Sequence, residues 1–196
     1  LLEPTPRTGD AQSFTFLTRD EGVTWYGWES VKSDPKTPET LWGWGSNTQG
    51  QLAQNTAHPS AFNTFSSPVQ IPGTTWGTTF STLSLGHNHA GSVKTDNTLW
   101  VWGGNNEGAL GQNDRTQRSS PVQVPGTTWA TNINSFGGNY NVSMAIKTDG
   151  TLWSWGYNTN GQLGHNDTIR YSSPVQIPGS WTKVLQAGDW NNMALK

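Results

Sequence analysis

Apolar and polar residues alternate in short runs along this chain, and the clearest run is Leu-Trp-x-Trp. It reads Leu-Trp-Val-Trp at residues 99–102 and returns at 41–44 and 152–155. Such alternation predicts a β-strand, because successive side chains of a strand point to opposite faces. Further strands are predicted ahead of the Trp pairs, for example at 91–93 and 143–146. No segment has helical periodicity long enough to predict a helix.

These runs belong to a repeat. Ser-Ser-Pro-Val-Gln occurs at 66–70, 119–123 and 172–176, each 53 residues after the last. Thr-Leu-Trp-x-Trp-Gly occurs at 40–45, 98–103 and 151–156, and each copy is followed by Asn-x-x-Gly-x-Leu. The first copy carries about five extra residues around 56–64. Internal repeats of this length are typical of propellers and solenoids.

The turns between the runs divide each repeat into about four short strands. Glycine in Asn-x-x-Gly and in Pro-Gly suits tight turns with positive φ. Four short strands in about 53 residues match a propeller blade. The predicted fold is therefore all-β: three four-stranded β-propeller units plus one extra strand, in a partial or assembled propeller. The units are 22–82, 83–135 and 136–184, with a partial unit at 185–196; residues 1–21 lie outside the repeats of 22–196.

Tryptophans at repeat positions are predicted to form the structural core. Each indole buries about 150–250 Å², more than any other residue class here can supply. Two indoles on one face of every strand suggest a packing layer between neighbouring sheets. The predicted core set is Trp42, Trp44, Trp76, Trp100, Trp102, Trp129, Trp153, Trp155 and Trp181.

Composition narrows the range of functions. The net charge is −2 without a basic cluster, which disfavours nucleic-acid binding. There is no cysteine, so disulfides, zinc–thiolate sites and a cysteine nucleophile are excluded. No apolar run reaches the length of a membrane span. The first residues lack an initiator Met and a signal pattern, so we expect a processed chain or a part of something longer.

Candidate contact residues lie in the loops that vary most between repeats. Varied loops on a rigid scaffold commonly form binding surfaces, in which aromatic and Arg side chains dominate. Simple loop variation without function is the alternative. The candidates are Phe62, Phe65, Arg115, Arg118, Arg170 and Tyr171, to which we add Trp25, a Trp outside the repeated positions.

Metal binding and catalysis are not predicted. His87 and His89 could offer two ligands from one strand, but the sequence offers no matching third. Asp114 and Asp167 each follow an Asn in a turn, where capping is favoured over a calcium cage. No nucleophile elbow, phosphate loop or His-Glu metal motif occurs. We therefore expect no cofactor and no enzymatic activity.

The segment from Met144 to Gly164 carries the repeat in its fullest form, Lys-Thr-Asp-Gly-Thr-Leu-Trp-x-Trp-Gly followed by Asn-x-x-Gly-Gln-Leu-Gly. It resembles the regulator of chromosome condensation repeat family, and the resemblance covers about 22–196. The resemblance implies seven-bladed propellers that share a scaffold and not a chemistry. The sequences of the copies are also similar to propeller repeats of tailed-phage virion proteins and other secreted or surface proteins.

Two functions follow as expectations. The first is a non-enzymatic structural or binding module of a virion or extracellular surface, contacting proteins, a further copy of itself, or host glycans through its loops. The second is a protein-regulatory propeller, such as an exchange factor or enzyme inhibitor. A hydrolase or lyase site on a complete propeller is a third, less favoured reading. Three units and a strand cannot close a ring of four to eight blades, so either a longer protein or several chains would complete it.

Overall fold

The computed structural model describes residues 16–18, 24–26, 40–55, 64–76, 82–131, 136–186 and 191–196. The chain divides into two compact units, Leu1–Thr37 and Pro38–Lys196. In the first unit, β1 (Phe16–Thr18) pairs antiparallel with β2 (Thr24–Tyr26). Two predicted contact residues, Phe62 and the side chain of Trp25, lie outside what the structure describes.

Two four-stranded antiparallel sheets form the middle of the second unit. One contains β5 (Leu83–Leu85), β6 (His89–Val93), β7 (Leu99–Gly103) and β8 (Arg118–Gln123), each paired with the next in chain order. The other contains β9 (Phe136–Asn139), β10 (Val142–Ile146), β11 (Leu152–Gly156) and β12 (Tyr171–Ile177) in the same order. We call these the second and third blades.

Half-sheets of two strands flank these blades. Before them, β3 (Trp42–Ser46) pairs with β4 (Thr64–Gln70). After them, β13 (Lys183–Gln186) pairs with β14 (Asn192–Leu195), so the partial fourth unit holds two strands and begins at Lys183, ahead of the predicted 185. The described residues contain no α-helix, and therefore no helix long and apolar enough to cross a membrane. The all-β fold built of propeller blades is confirmed.

A local irregularity lies at the second Trp of each pair, where its strand pairs with the following strand. The register shifts between Gly43 and Gly45, between Val101 and Gly103, and at the matching place in the third blade. The glycine at the shift has a φ of +108° at Gly103, a conformation that other residues rarely adopt. The Gly that follows each Trp pair is thus required by the backbone.

The core lies between successive sheets, and the second Trp of each pair enters it. Trp102 and Trp155 are buried. The Nε1 of Trp102 donates to the carbonyl oxygen of Gln51 at 2.9 Å, and the Nε1 of Trp155 donates to that of Ala109 at 2.8 Å. Each indole therefore reaches into the loop of the preceding repeat. Trp76 and Trp129, from the Pro-Gly segments, are buried against these same indoles.

In the second and third repeats, the first Trp of the pair lies at a half-buried outer position. Trp153 donates from Nε1 to Thr151 Oγ1 at 2.9 Å, which fixes the ring. The ammonium group of Lys147 lies 4.2 Å from the centre of that ring and 5.1 Å from that of Trp129, a cation–π arrangement. Lys94 lies in the same way over Trp76 and Trp100, and Lys196 lies over the half-buried Trp181.

The structure differs from the predicted core at two positions. Trp42 is 50% exposed and Trp44 is 65% exposed. Trp44 occupies the place of Trp102 and Trp155 in the repeat, but the described residues provide no preceding repeat loop to receive its indole. A Trp in this repeat is buried by the adjacent repeat and not by its own sheet. The prediction that Trp42 and Trp44 belong to the core was therefore wrong.

Candidate protein-binding rim

Two loops stand at one end of the blades, and both are built around a buried Asn. We call residues 105–118 and 158–171 the rim loops. The Oδ1 of Asn105 accepts the backbone N–H of Leu110 at 2.9 Å, and its Nδ2 donates to the carbonyl oxygens of Asp114 and Thr116, both at 3.1 Å. One side chain thus fastens both ends of the loop.

The second rim loop repeats this arrangement. Asn158 Oδ1 accepts from the N–H of Leu163 at 2.9 Å, and Nδ2 donates to the carbonyl oxygens of Asp167 at 3.1 Å and of Ile169 at 2.8 Å. Because buried amides that satisfy all their hydrogen bonds rigidify a loop, both loops have a fixed backbone. From the sequence, these Asn residues were predicted only to form turns.

The two rim aspartates cap the turns that carry the variable residues. Asp114 Oδ1 accepts the N–H of Thr116 at 2.8 Å, and Asp167 Oδ1 accepts that of Ile169 at 2.9 Å. The hydrogen bond from the Thr116 backbone, with that from Arg118, lowers the pKa of Asp114. The Ile169 N–H and the Tyr171 hydroxyl lower the pKa of Asp167 in the same way. Ionised carboxylates are the stronger acceptors for such caps.

Three of the predicted contact residues occupy one position of the repeat. Phe65, Arg118 and Tyr171 lie opposite Gly45, Gly103 and Gly156 in their sheets, and all three are half-buried. Arg118 Nη2 contacts Asp114 Oδ2 at 2.7 Å. The Tyr171 hydroxyl donates to Asp167 Oδ2 at 2.8 Å, which raises the pKa of the Tyr.

These bonds tie Arg118 and Tyr171 to their own loops. Arg170, in contrast, joins the two rim loops. Its Nη1 lies 2.7 Å from Glu107 Oε2 of the first rim loop, and its guanidinium lies 4.8 Å from the centre of the Tyr157 ring. The pair connects neighbouring blades at the surface, where such a pair contributes about 0–1 kcal/mol.

Arg115 and Ile169 are two of the side chains that the rim presents to solvent. Arg115 is exposed, and Ile169 is 60% exposed. Neither side chain has a hydrogen bond or ion pair among the described contacts. Sequence reasoning missed Ile169; its signal was a branched apolar residue where the second repeat has Thr116.

The rim carries mixed charge and no metal site. Arginines 115, 118 and 170 are balanced by Glu107, Asp114 and Asp167, so no basic patch forms here. His87 stacks on Tyr140, whereas His89 is buried with its Nε2 3.0 Å from Ser143 Oγ. Across the described ranges, no three His, Cys, Asp or Glu side chains gather as metal ligands.

Comparison with known proteins decides the family. A sequence model of the regulator of chromosome condensation (RCC1) repeat matches residues 96–143 and 149–195, and a second model of this repeat matches 133–162. The chain belongs to the RCC1 repeat family. The predicted resemblance to the family is confirmed, while its virion-type variety stays a prediction.

Three RCC1-repeat relatives illustrate the similarity. The ultraviolet-B receptor UVR8 of Arabidopsis thaliana is 27% identical over 155 residues, 78% of this chain and 34% of the receptor. The X-linked retinitis pigmentosa GTPase regulator of Mus musculus is 37% identical over 103 residues, 50% of this chain and 10% of that protein. Yeast RCC1 (Prp20), in its crystal structure with bound Kap60, superposes with a TM-score of 0.59 at 17% identity, over 83% of this chain and 42% of that chain. This RCC1-repeat chain thus spans a third or less of those two curated relatives.

Proposed function

We propose that this chain is a non-enzymatic RCC1-repeat module that binds another protein through its rim loops. The observation that carries the proposal is the contrast within the rim. Its backbone is fixed by Asn105, Asn158 and the capping aspartates, while Arg115 and Ile169 extend into solvent. The exposed side chain of Ile169 lies outside the buried apolar clusters of the described residues.

Such an arrangement favours protein recognition for two physical reasons. A loop that is already ordered loses little conformational entropy when a partner binds. An apolar residue beside an arginine supplies both buried area and hydrogen-bond donors, a combination found at the centre of protein interfaces. Yeast RCC1, which shares this fold, is bound to another protein, Kap60, in its crystal structure, and this agrees with the same class of function.

The proposal is tested by capturing proteins from an extract of the source cells on the immobilised chain and quantifying them by mass spectrometry. Ile169→Glu places a charge in the centre of the rim. Thr127→Glu, the matched control, places the same charge at an exposed turn beyond the other end of β8. We expect the captured amount of at least one protein to fall about tenfold or more with Ile169→Glu and to remain unchanged with Thr127→Glu. If every captured protein responds equally to both variants, the rim is not the binding surface.

The location of the module is part of this proposal. We infer a virion or extracellular surface, supported by the low share of charged residues, 12%, and by the near-identity of the repeated Ser-Ser-Pro-Val-Gln and Thr-Leu-Trp-x-Trp-Gly segments. The matching experiment is detection of the protein in purified particles or in the secreted fraction. Recovery only from the cell interior would favour the regulatory reading instead, in which the rim acts on an enzyme or a GTPase.

A further inference from the structure

A cavity of about 330 Å³ lies between the second and third blades. This volume falls within the range of about 300–1,000 Å³ that is usual for small-molecule sites. Its walls include Gln112, Asn113 and Pro125 from the second repeat and Lys147, Trp153 and Pro174 from the third. Both walls belong to four-stranded blades, and the exposed Asn113 and Pro125 leave the cavity open to solvent. We call it the Trp153 groove.

An indole forms the apolar wall of the Trp153 groove. Trp153 is half-buried, and its ring is fixed by the hydrogen bond to Thr151. A pyranose ring presents C–H groups with a partial positive charge, and these pack against the negative face of an indole. The Lys147 ammonium lies 4.2 Å from the centre of the same ring, and the flexible stem of a lysine lets this group turn toward an anion beside the ring. The groove thus combines an aromatic surface with a positive charge.

The charge of Lys147 is not neutralised by an ion pair. Among the described residues, the ion pairs lie in the rim and none includes Lys147. Asp149 accepts instead from the Thr151 hydroxyl at 2.7 Å and from the Thr151 backbone N–H at 3.0 Å. These hydrogen bonds, and to a lesser extent the charge of Lys147, lower the pKa of Asp149. A carboxylate bound in the groove would therefore accept a charge-assisted hydrogen bond from the Lys147 ammonium.

Two amide side chains add a hydrogen-bond acceptor and a donor. Gln112 Nε2 donates to the carbonyl oxygens of Leu110 at 3.1 Å and Gln123 at 3.0 Å, which fixes the side chain and leaves Oε1 as an acceptor. Asn113 Oδ1 accepts from the Ser173 hydroxyl at 3.3 Å, which leaves Nδ2 as a donor. Neither remaining atom has a hydrogen bond among the described contacts. Sugar hydroxyls both donate and accept, so they can bond to both amides.

The junction between the first and second repeats contains the same set of residues. The counterparts of the six wall residues are Gln54, Asn55, Pro72, Lys94, Trp100 and Pro121, and each is as buried or exposed as its counterpart. The Lys94 ammonium lies 4.2 Å from the centre of the Trp100 ring, and Gln54 donates to the carbonyl oxygens of Leu52 and Gln70, both at 2.9 Å. We call this set the Trp100 groove.

We propose that each of the two grooves binds one acidic sugar unit of a glycan, a pyranose ring that carries a carboxylate. In the Trp153 groove the ring packs on the indole, the carboxylate accepts from Lys147, and the hydroxyls bond to Gln112 and Asn113. An acidic peptide would supply the carboxylate without the ring and its hydroxyls. The site includes residues 111–113 of the first rim loop but neither Arg115 nor Ile169, so it is separate from the proposed protein-binding residues.

The test follows the indole N–H signals of Trp153 and Trp100 by NMR while the ¹⁵N-labelled chain is titrated with trigalacturonic acid. The two signals are identified by their loss in Trp153→Phe and Trp100→Phe. We expect both signals to shift in a saturable manner. The methyl ester of the same oligomer keeps the rings and removes the charge, so it should bind about tenfold more weakly or less.

Each groove provides the matched control for the other. Lys147→Met removes the ammonium and keeps an apolar stem of similar length. It should abolish the preference for the acid over the ester at Trp153 and leave that preference intact at Trp100, and Lys94→Met should do the reverse. A variant that fails to fold would lose both responses together. Ile169→Glu should change neither response, so the result does not depend on protein binding at the rim.

Three outcomes would overturn the proposal. The first is that trigalacturonic acid shifts neither indole signal. The second is that triglutamate, which has carboxylates but no sugar rings, shifts both signals as strongly, which would indicate recognition of acidic peptides or of charge alone. The third is that Lys147→Met keeps the preference for the acid at Trp153, which would mean that the lysine does not bind the carboxylate.

Discussion

Trp155 and Trp44 occupy the same place in the repeat, follow the same strand pattern and have opposite environments. Trp155 is fully buried and donates to Ala109 of the preceding repeat, whereas Trp44 is 65% exposed. Among the described residues, a preceding repeat loop receives the indole at the junction between the second and third repeats, and none receives that of Trp44. The stability of this RCC1-repeat chain therefore resides between its blades.

The largest expected effect is the difference between two equal truncations. Trp155→Ala removes an indole from the closed junction, leaves a cavity and removes one of the two hydrogen bonds to the Ala109 carbonyl, which should lower the free energy of unfolding by about 3–5 kcal/mol. Trp44→Ala, on the open face, should cost below about 1 kcal/mol in the monomer. Urea unfolding of both variants at low protein concentration measures the difference. Equal losses would show that Trp44 is buried in solution and that the comparison fails.

The next effect is a pH dependence located in the closed junction. Burial lowers the pKa of His89 to about 4 from its ordinary 6.5. The unfolded chain therefore binds the proton more readily, and the free energy of unfolding should fall as the pH drops from about 6.5 to about 4, by roughly 3 kcal/mol, and then level off in this contribution. The measurement is the free energy of unfolding as a function of pH, for wild type and for His89→Val.

His89→Val is a suitable reference because Val142 holds the matching position in the third blade, at the start of β10. The variant keeps the hydrogen bond from Ser143 Oγ to the Ala109 carbonyl, at 2.8 Å, and removes only the titrating ring. The carboxylates of the chain titrate in both proteins and cancel in the difference. If the two curves run parallel between pH 6.5 and 4, His89 is not buried in its neutral form.

The smallest expected effect lies in the rim, away from the junction. The Arg118–Asp114 pair is partly exposed, with side-chain exposures of 29% and 37%. A double-mutant cycle with Arg118→Ala and Asp114→Ala should give a coupling of about 0.5 kcal/mol, reduced at high salt. A coupling above about 2 kcal/mol would contradict the partly exposed setting of this pair.

Much of the fold could be read from particular residues. The Leu-Trp-x-Trp alternation predicted β3, β7 and β11, because side chains that alternate between two faces with a period of two residues are typical of an extended strand. The glycines of Asn-x-x-Gly and Pro-Gly predicted tight turns, and Gly50 and Gly73 have the positive φ that such turns require. The separate roles of the two indoles could not be read, because both lie on one face and only the position of the next sheet decides which becomes buried.

The rim shows the same division. Variable loops indicated where contacts would lie. Arg118 and Tyr171 instead bind the aspartates of their own loops, and these bonds form only when the loop folds back over several residues. Ile169 was overlooked because isolated apolar residues are common in sequences and acquire meaning only when exposed on a fixed loop.

By itself, the sequence determined the repeat, its strands and turns and its membership of the RCC1 repeat family, because these depend on local periodicity and on glycine. Only the tertiary structure decided which Trp is buried and which rim side chains remain open. Burial depends on the sheet that packs against a residue. A repeated sequence has the same residues at a closed junction and at an open face, so it does not distinguish the two.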